Sequence, residues 1–325
     1  MPRLIRLVIG SVAALTLSFA PARAQDSAEV SGLAVRLASI AAVTGYEQRL
    51  VDTVLRLLPR GRSDRAGNAV LRLGGGSVSR LLVCPLDEPG YVVGGIRSDG
   101  YLTLRRVAGR VGPLFDQQLE GHRVDIDGTR GRIPGVVAVR SIHLTRGRTA
   151  PSDSTFTVDD AYVDVGATSA AEAVRLGIKV LAPVTLAKRP HAYGNRLLAA
   201  PMAGRRTACA ALLLAVRQSL MRAKLIPSVQ VALVVEQGLD QSGLATVANA
   251  DGPFDETIIV DGGPGAFGSI GKVLLADTTG ALPKLGQVTR WSLPVRYAGT
   301  AVETVSLADA DSLRRQLVAW IGGDR

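Results

Sequence analysis

Val229-Gln230-Val231-Ala232-Leu233-Val234-Val235 and, further on, Thr257-Ile258-Ile259-Val260 are short, almost unbroken apolar runs. A run this apolar reads as a strand covered on both faces. On either side of these runs the apolar spacing changes to that of helices. Ala203–Ala223 is Ala- and Leu-rich and reads as a long buried helix, Leu244–Ala250 as a short one, and Leu307–Ile321 as an amphipathic C-terminal one. Helices and strands in alternation predict an α/β sheet core. Upstream, residues 31–41 form a helical pattern. A second helix carries Leu50, Val51, Val54, Leu55 and Leu58 on one face, behind the capping-box string Thr44-Gly45-Tyr46-Glu47.

From about 108 to 185 the pattern becomes one of short strands, at Arg123–Ile126, Ile133–Val139 and Ala161–Val165, separated by turn pairs such as Asp127-Gly128. A second capping box, Ser169-Ala170-Ala171-Glu172, marks one short helix there. The expectation is a discontinuous α/β domain over 25–107 and 186–325, with an inserted β domain over 108–185. Asp99-Gly100, between Tyr91–Ile96 and Tyr101–Val107, is a hairpin turn signal.

The N-terminus reads as an export signal. Arg3 and Arg6 precede the apolar run Leu7–Ala20, and Ala22-Arg23-Ala24 is a small-residue cleavage pattern, so residues 1–24 are expected to be removed. The apolar run falls short of the roughly 20 residues a spanning helix needs; an uncleaved anchor is the alternative. The expected location is the periplasm or the medium, with no later membrane span. The formal charge is +10, carried by scattered arginines without interleaved aromatics, which argues against nucleic-acid binding. Cys84 and Cys209 are compatible with a disulfide in an oxidising compartment or with two buried thiols.

Chemistry-bearing motifs are few. His122, His143 and His191 are in no metal-binding spacing. No serine sits in a Gly-x-Ser-x-Gly elbow. Gly263-Pro264-Gly265-Ala266-Phe267-Gly268 matches a dinucleotide fingerprint as a string, but Val273-Leu274-Leu275-Ala276 reads as a strand where that fingerprint needs a helix. What remains are carboxylates at strand ends, where α/β folds place their sites: Asp87 and Glu88 after the Leu81–Cys84 run, and Asp261 after Thr257–Val260.

Several strings together resemble metallopeptidase family 42, the glutamyl or tetrahedral aminopeptidases, in family order over about 31 to 321. They are Val43-Thr44-Gly45-Tyr46-Glu47, Asp64-Arg65-Ala66-Gly67-Asn68, Ile133-Pro134-Gly135-Val136 with His143, Asp160–Ala167 with Ser169 and Gly177-Ile178, and Arg296-Tyr297 with Val302-Glu303. The resemblance implies a zinc-aminopeptidase-like α/β/α sandwich with an inserted small β-barrel-like domain that serves dimerisation, and hence a homo-oligomer.

The family binds two metals through two histidines, two aspartates and a glutamate, and a second glutamate serves as general base. Carried over position by position, the resemblance puts the first histidine on Pro85, the bridging aspartate on Ala203 (with Arg205 retained), the glutamate pair on Gln237-Gly238 and the last histidine on Gly299. Only Asp261 remains as a metal ligand. A one-residue slip would put Glu236 at the base position, with Asp87 as the other candidate catalytic carboxylate. The expectation is therefore an exported homologue, inactive or strongly impaired, with a binding or assembly role, a possible peptide ligand and no cofactor. The alternative is an active aminopeptidase with one zinc or cobalt held by Asp87, Glu236, Asp240 and Asp261.

Overall fold

A computed structural model describes residues 22–77, 79–107, 111–112, 114–139, 155–221, 227–275 and 283–323. His143 and nearly all of the expected export signal lie outside these. Helix α1 (Ala22–Ala38) starts earlier than its periodicity suggested, and α2 (Gln48–Leu57) follows a short loop. The capping box expected at Thr44 and Glu47 does not form. The α2 N-cap has no side-chain hydrogen bond, because Thr44 donates to Asp87 and Glu47 accepts from Gly45 and Glu236.

Strands β1 (Arg62–Ser63), β2 (Ala69–Leu73) and β3 (Arg80–Pro85) open the main sheet. The chain then leaves it. Strands β4 (Tyr91–Ile96), β5 (Leu102–Arg106), β6 (Arg123–Gly128), β7 (Gly131–Val137), β8 (Tyr162–Asp164) and β9 (Pro183–Leu186) close a barrel in the order β4-β5-β8-β7-β6-β9, with α3 (Ala170–Arg175) beside it. The barrel begins at Tyr91, whereas the expected insertion began at 108. The β4–β5 hairpin belongs to it because Tyr91, Val93, Leu102 and Leu104 face the barrel core with Val124, Ile126 and Val184. The Asp99-Gly100 turn joins these two strands as the sequence suggested. Gly100 sits at φ +87°, and a Cβ there would lie 2.2 Å from the Ala167 carbonyl oxygen. At the second expected capping box, Ser169 accepts from the Glu172 N–H, while the Glu172 carboxylate turns to Thr168.

The chain returns through β10 (His191–Tyr193) and β11 (Leu197–Ala199), then α4 (Ala203–Leu220), β12 (Val229–Val234), α5 (Ser242–Asp251), β13 (Glu256–Pro264), β14 (Gly271–Leu274), β15 (Gln287–Arg296), β16 (Thr304–Ser306) and α6 (Leu307–Gly322). The sheet runs β1-β2-β12-β3-β13-β15-β16-β11-β10, with β14 also paired to β15. Its centre is parallel: Val231 pairs with Leu82, and Ile258 with both Leu82 and Thr289. Alternate residues of the apolar strands serve two cores. Leu82, Val231, Leu233 and Ile258 join α1, α2, α4 and α6, whereas Val83, Ala232, Val234 and Ile259 meet α5. This makes an α/β/α sandwich. Strand β14 stands where the dinucleotide fingerprint would need a helix.

Cys84 at the end of β3 and Cys209 in α4 form a disulfide, with Cα atoms 5.6 Å apart. It ties the strand and the helix whose adjoining ends carry the candidate site.

Candidate functional site at the strand ends

The parallel strands β3 and β12 end together level with Asp261 of β13, which runs on to Pro264, and α4 starts above them. The approach is close because two glycines meet. A Cβ on Gly262 would lie 2.7 Å from the Gly204 Cα, and one on Gly204 would lie 2.5 Å from Val295 Cγ1. Glu303 fixes the helix start, accepting from the Gly204 N–H through Oε1 and from the Gly299 N–H through Oε2, both at 2.8 Å. Burial raises the Glu303 carboxyl above its ordinary value, against those two backbone donors.

This placement sets Arg205 between two carboxylates. Its Nε and Nη2 fork onto Asp261 at 3.0 and 2.9 Å, and Nη1 donates to Asp87 Oδ1 at 3.0 Å and to the Asp87 carbonyl at 2.6 Å. Asp87 and Asp261 are 1% and 7% exposed, so their charges have little water to face. Burial opposes the charge on Arg205, and the two carboxylates outweigh it, so the guanidinium is held more firmly protonated than an ordinary arginine. Further donors reach both carboxylates. Asp87 Oδ2 accepts from Thr44 Oγ1 at 2.8 Å and from the Gly238 N–H at 2.7 Å, and Asp261 Oδ1 accepts from the Gly262 N–H at 2.8 Å.

One residue along on both partners lies a second cluster. Glu88 accepts from the Ala42 N–H at 2.9 Å, contacts Lys188 Nζ, and lies 3.2 Å from Arg206 Nη2. All three side chains are buried. Burial pushes the Glu88 carboxyl up, but Lys188 and Arg206 more than offset this and hold it below its ordinary value. Lys188 is lowered, by burial first and then by Arg206. Arg206 Nη1 donates to the Leu86 carbonyl, while Nε and Nη2 have no hydrogen-bond partner among the described residues. Because Lys188 follows the last barrel strand, Glu88 joins the barrel to the sheet.

The Glu88 carboxyl gains protons less readily in the fold than in the unfolded chain. Its stabilisation is present above the unfolded value and is lost as pH falls through the lower folded value. We expect acid unfolding monitored by circular dichroism to show this loss below about pH 4.5, and Glu88→Gln to flatten that limb. An unchanged acid limb in the variant would count against the assignment.

The other sequence candidates are placed elsewhere. Glu236 stands at φ +54°, and its carboxylate accepts from Ser242 at the start of α5. No hydrogen bond or ion pair among the described residues joins it to Asp87 or Asp261. Asp240 is exposed. The structure therefore brings Asp87 and Asp261 together through Arg205 and leaves Glu236 and Asp240 outside. Among the described residues no group of three or more His, Cys, Asp or Glu side chains is arranged to hold a metal. His122 is exposed and hydrogen-bonds the Glu120 carbonyl, and His191 stacks on Tyr193 in an edge strand. Sequence reading missed Lys188, Arg206 and Glu303. The adjacent pair Arg205-Arg206 at the head of an otherwise apolar helix was the signal available for one of them.

The sequence model of the M42 glutamyl aminopeptidase family matches residues 67–265, which include both acidic strand ends and Arg205-Arg206. The chain belongs to this family. Among relatives, SgcX of Escherichia coli (strain K12) is 30% identical over 179 residues, covering 53% of this chain and 46% of SgcX. The lysyl aminopeptidase of Pyrococcus furiosus is 27% identical over 143 residues, covering 42% and 40% respectively. The matched stretches thus span less than half of these relatives. Among solved structures, the Pyrococcus horikoshii TET1 peptidase superposes with a TM-score of 0.79 at 21% identity, covering 90% of this chain and 99% of that one. The Desulfurococcus kamchatkensis aminopeptidase APDkam598 gives 0.78 at 17%, covering 91% and 95%. The M42 fold thus extends over nine-tenths of the chain, beyond the matched segment.

Proposed function

We propose that this M42 protein is exported and does not hydrolyse peptides, and that it acts through binding or assembly as a homo-oligomer. The Arg205 fork carries this reading. Both Asp261 oxygens are engaged by a guanidinium, and Asp87, the second carboxylate of the cluster, accepts from Arg205, Thr44 and Gly238. The positions that match the family's other ligands border this cluster. Pro85 ends β3, Ala203 starts α4, Gly238 donates its N–H to Asp87, and Gly299 donates its N–H to Glu303. Proline, alanine and glycine side chains offer a metal no donor. The residues present do not fit a two-metal centre.

The test is hydrolysis of aminoacyl-p-nitroanilides by the purified chain with added zinc or cobalt, together with its bound-metal content. We expect rates at the uncatalysed level and metal well below stoichiometric. Stoichiometric zinc with turnover abolished by Asp261→Ala would establish the rival reading of a rebuilt site.

Export is supported by the N-terminal pattern and by the Cys84–Cys209 disulfide, a bond that persists in oxidising compartments. Release of the chain by osmotic shock is the expected result, and retention with the cytosol would overturn it. No described helix is long and apolar enough to cross a membrane. Assembly is supported by the family: the P. horikoshii TET1 peptidase can assemble into a tetrahedron or a large octahedral shell. Light scattering at micromolar concentration is expected to give a dimer or a larger closed species; a monomer would remove assembly as the retained role. A peptide ligand remains the candidate for a binding role, and a panel of peptides titrated into the metal-free chain tests it.

A further inference from the structure

On the outer edge of the main sheet, by the start rather than the end of β12, a concavity of about 550 Å³ is lined by Arg60, Arg62, Arg72, Gln230, Ser77 and Asp251. Strand register explains why these groups share one face. Arg62 pairs with Val70, Arg72 lies two residues beyond Val70, and Gln230 pairs with Arg72. Arg60, Arg62 and Arg72 are exposed, and among the described residues none forms an ion pair; Arg72 donates to the Gly76 carbonyl. Gln230 adds a neutral polar group to the same wall. It is 4% exposed, it lines the concavity, and its amide has no hydrogen-bond partner among the described residues.

The lining carries three arginines and one carboxylate, Asp251, a balance of two positive charges. The complement is a dianion rich in acceptor oxygens. A phosphate monoester has that charge at neutral pH and the geometry that arginine forks recognise. We infer that this concavity is a binding site for a phosphate-monoester group, separate from the Arg205 cluster and independent of whether that cluster hydrolyses anything.

The group could belong to a soluble phosphoester or to a lipid headgroup, and two arms separate these. In the first, inorganic phosphate is titrated calorimetrically into the full chain, with ionic strength held by sodium chloride. Saturable binding is expected, weakened about 10-fold or more by Arg62→Glu or Arg72→Glu. Gln230→Leu should also weaken it, because it removes a polar group that lines the concavity. In the second arm, the chain is sedimented with phosphatidylcholine vesicles with and without phosphatidic acid. Arginine-dependent sedimentation only with phosphatidic acid assigns the headgroup; phosphate binding without sedimentation assigns a soluble ligand. If neither arm shows binding, or if the binding seen is the same in the Arg62→Glu variant, the inference is overturned.

Discussion

Arg205→Met is expected to lower the free energy of unfolding by about 3–5 kcal/mol, the range for removing one partner of a buried, hydrogen-bonded charge pair. Methionine fills much of the same volume, so the loss reports electrostatics rather than a cavity. It leaves Asp87 and Asp261 almost completely buried with no cation between them. The check is a urea titration read as a shift in midpoint at constant slope. A companion variant sharpens it. Removing all three charges, with Arg205→Met, Asp87→Asn and Asp261→Asn together, should recover a large part of the loss, because a buried ion triad costs most when it is broken and little when it is replaced as a whole. A change below about 1 kcal/mol for Arg205→Met, the worth of an exposed pair, would mean that water reaches the carboxylates and that the fork does not hold the site.

Cutting the covalent tie should have an effect of similar size. The Cys84–Cys209 bond spans a sequence separation of 125 residues. By chain entropy, such a link removes about 5 kcal/mol of freedom from the unfolded state. The Cys84→Ala, Cys209→Ala double variant, or the wild type under reductant, should therefore unfold at markedly lower urea. The disulfide and the arginine fork also act on the same two elements. Cys84 lies three residues before Asp87, and Cys209 about one helical turn after Arg205. A double-mutant cycle between them should give a coupling of about 0.5–3 kcal/mol, as for contacts sharing one structural unit. Strict additivity would show that the strand and the helix stay in place without the bond.

The layered fold was legible because it depends on apolar period, and the period survives any reassignment of individual contacts. Val229–Val234 and Thr257–Val260 are buried on both faces, as continuous apolar strands must be. The barrel boundary was less legible. Tyr91–Ile96 and Leu102–Arg106 are strands of ordinary composition, and only their pairing with β9 and β8 assigns them to the barrel. At the site, strand position revealed Asp87, Glu88 and Asp261. It could not reveal their partners. Lys188 reaches Glu88 across 100 residues of chain, and Arg205 reaches Asp87 across 118. Thr44 and Glu47 illustrate the competition: a helix cap is a local solution, and the carboxylates and backbone of the strand ends outbid it for both side chains.

The two ion clusters form a ladder with two rungs. Adjacent acids, Asp87 and Glu88, meet adjacent arginines, Arg205 and Arg206, one to one. A ladder of this kind can be assembled in only one alignment. If α4 sat one residue out of step with the end of β3, Arg206 would arrive where Arg205 belongs, and Glu88 would lose one of its two cations. A seam made of Leu and Ala alone would tolerate such a slip, since one small apolar residue replaces another at little cost. The paired charges thus act as an indexing pin for a helix that is otherwise apolar for most of its length, and alignment is the role for which buried ionic groups are best attested.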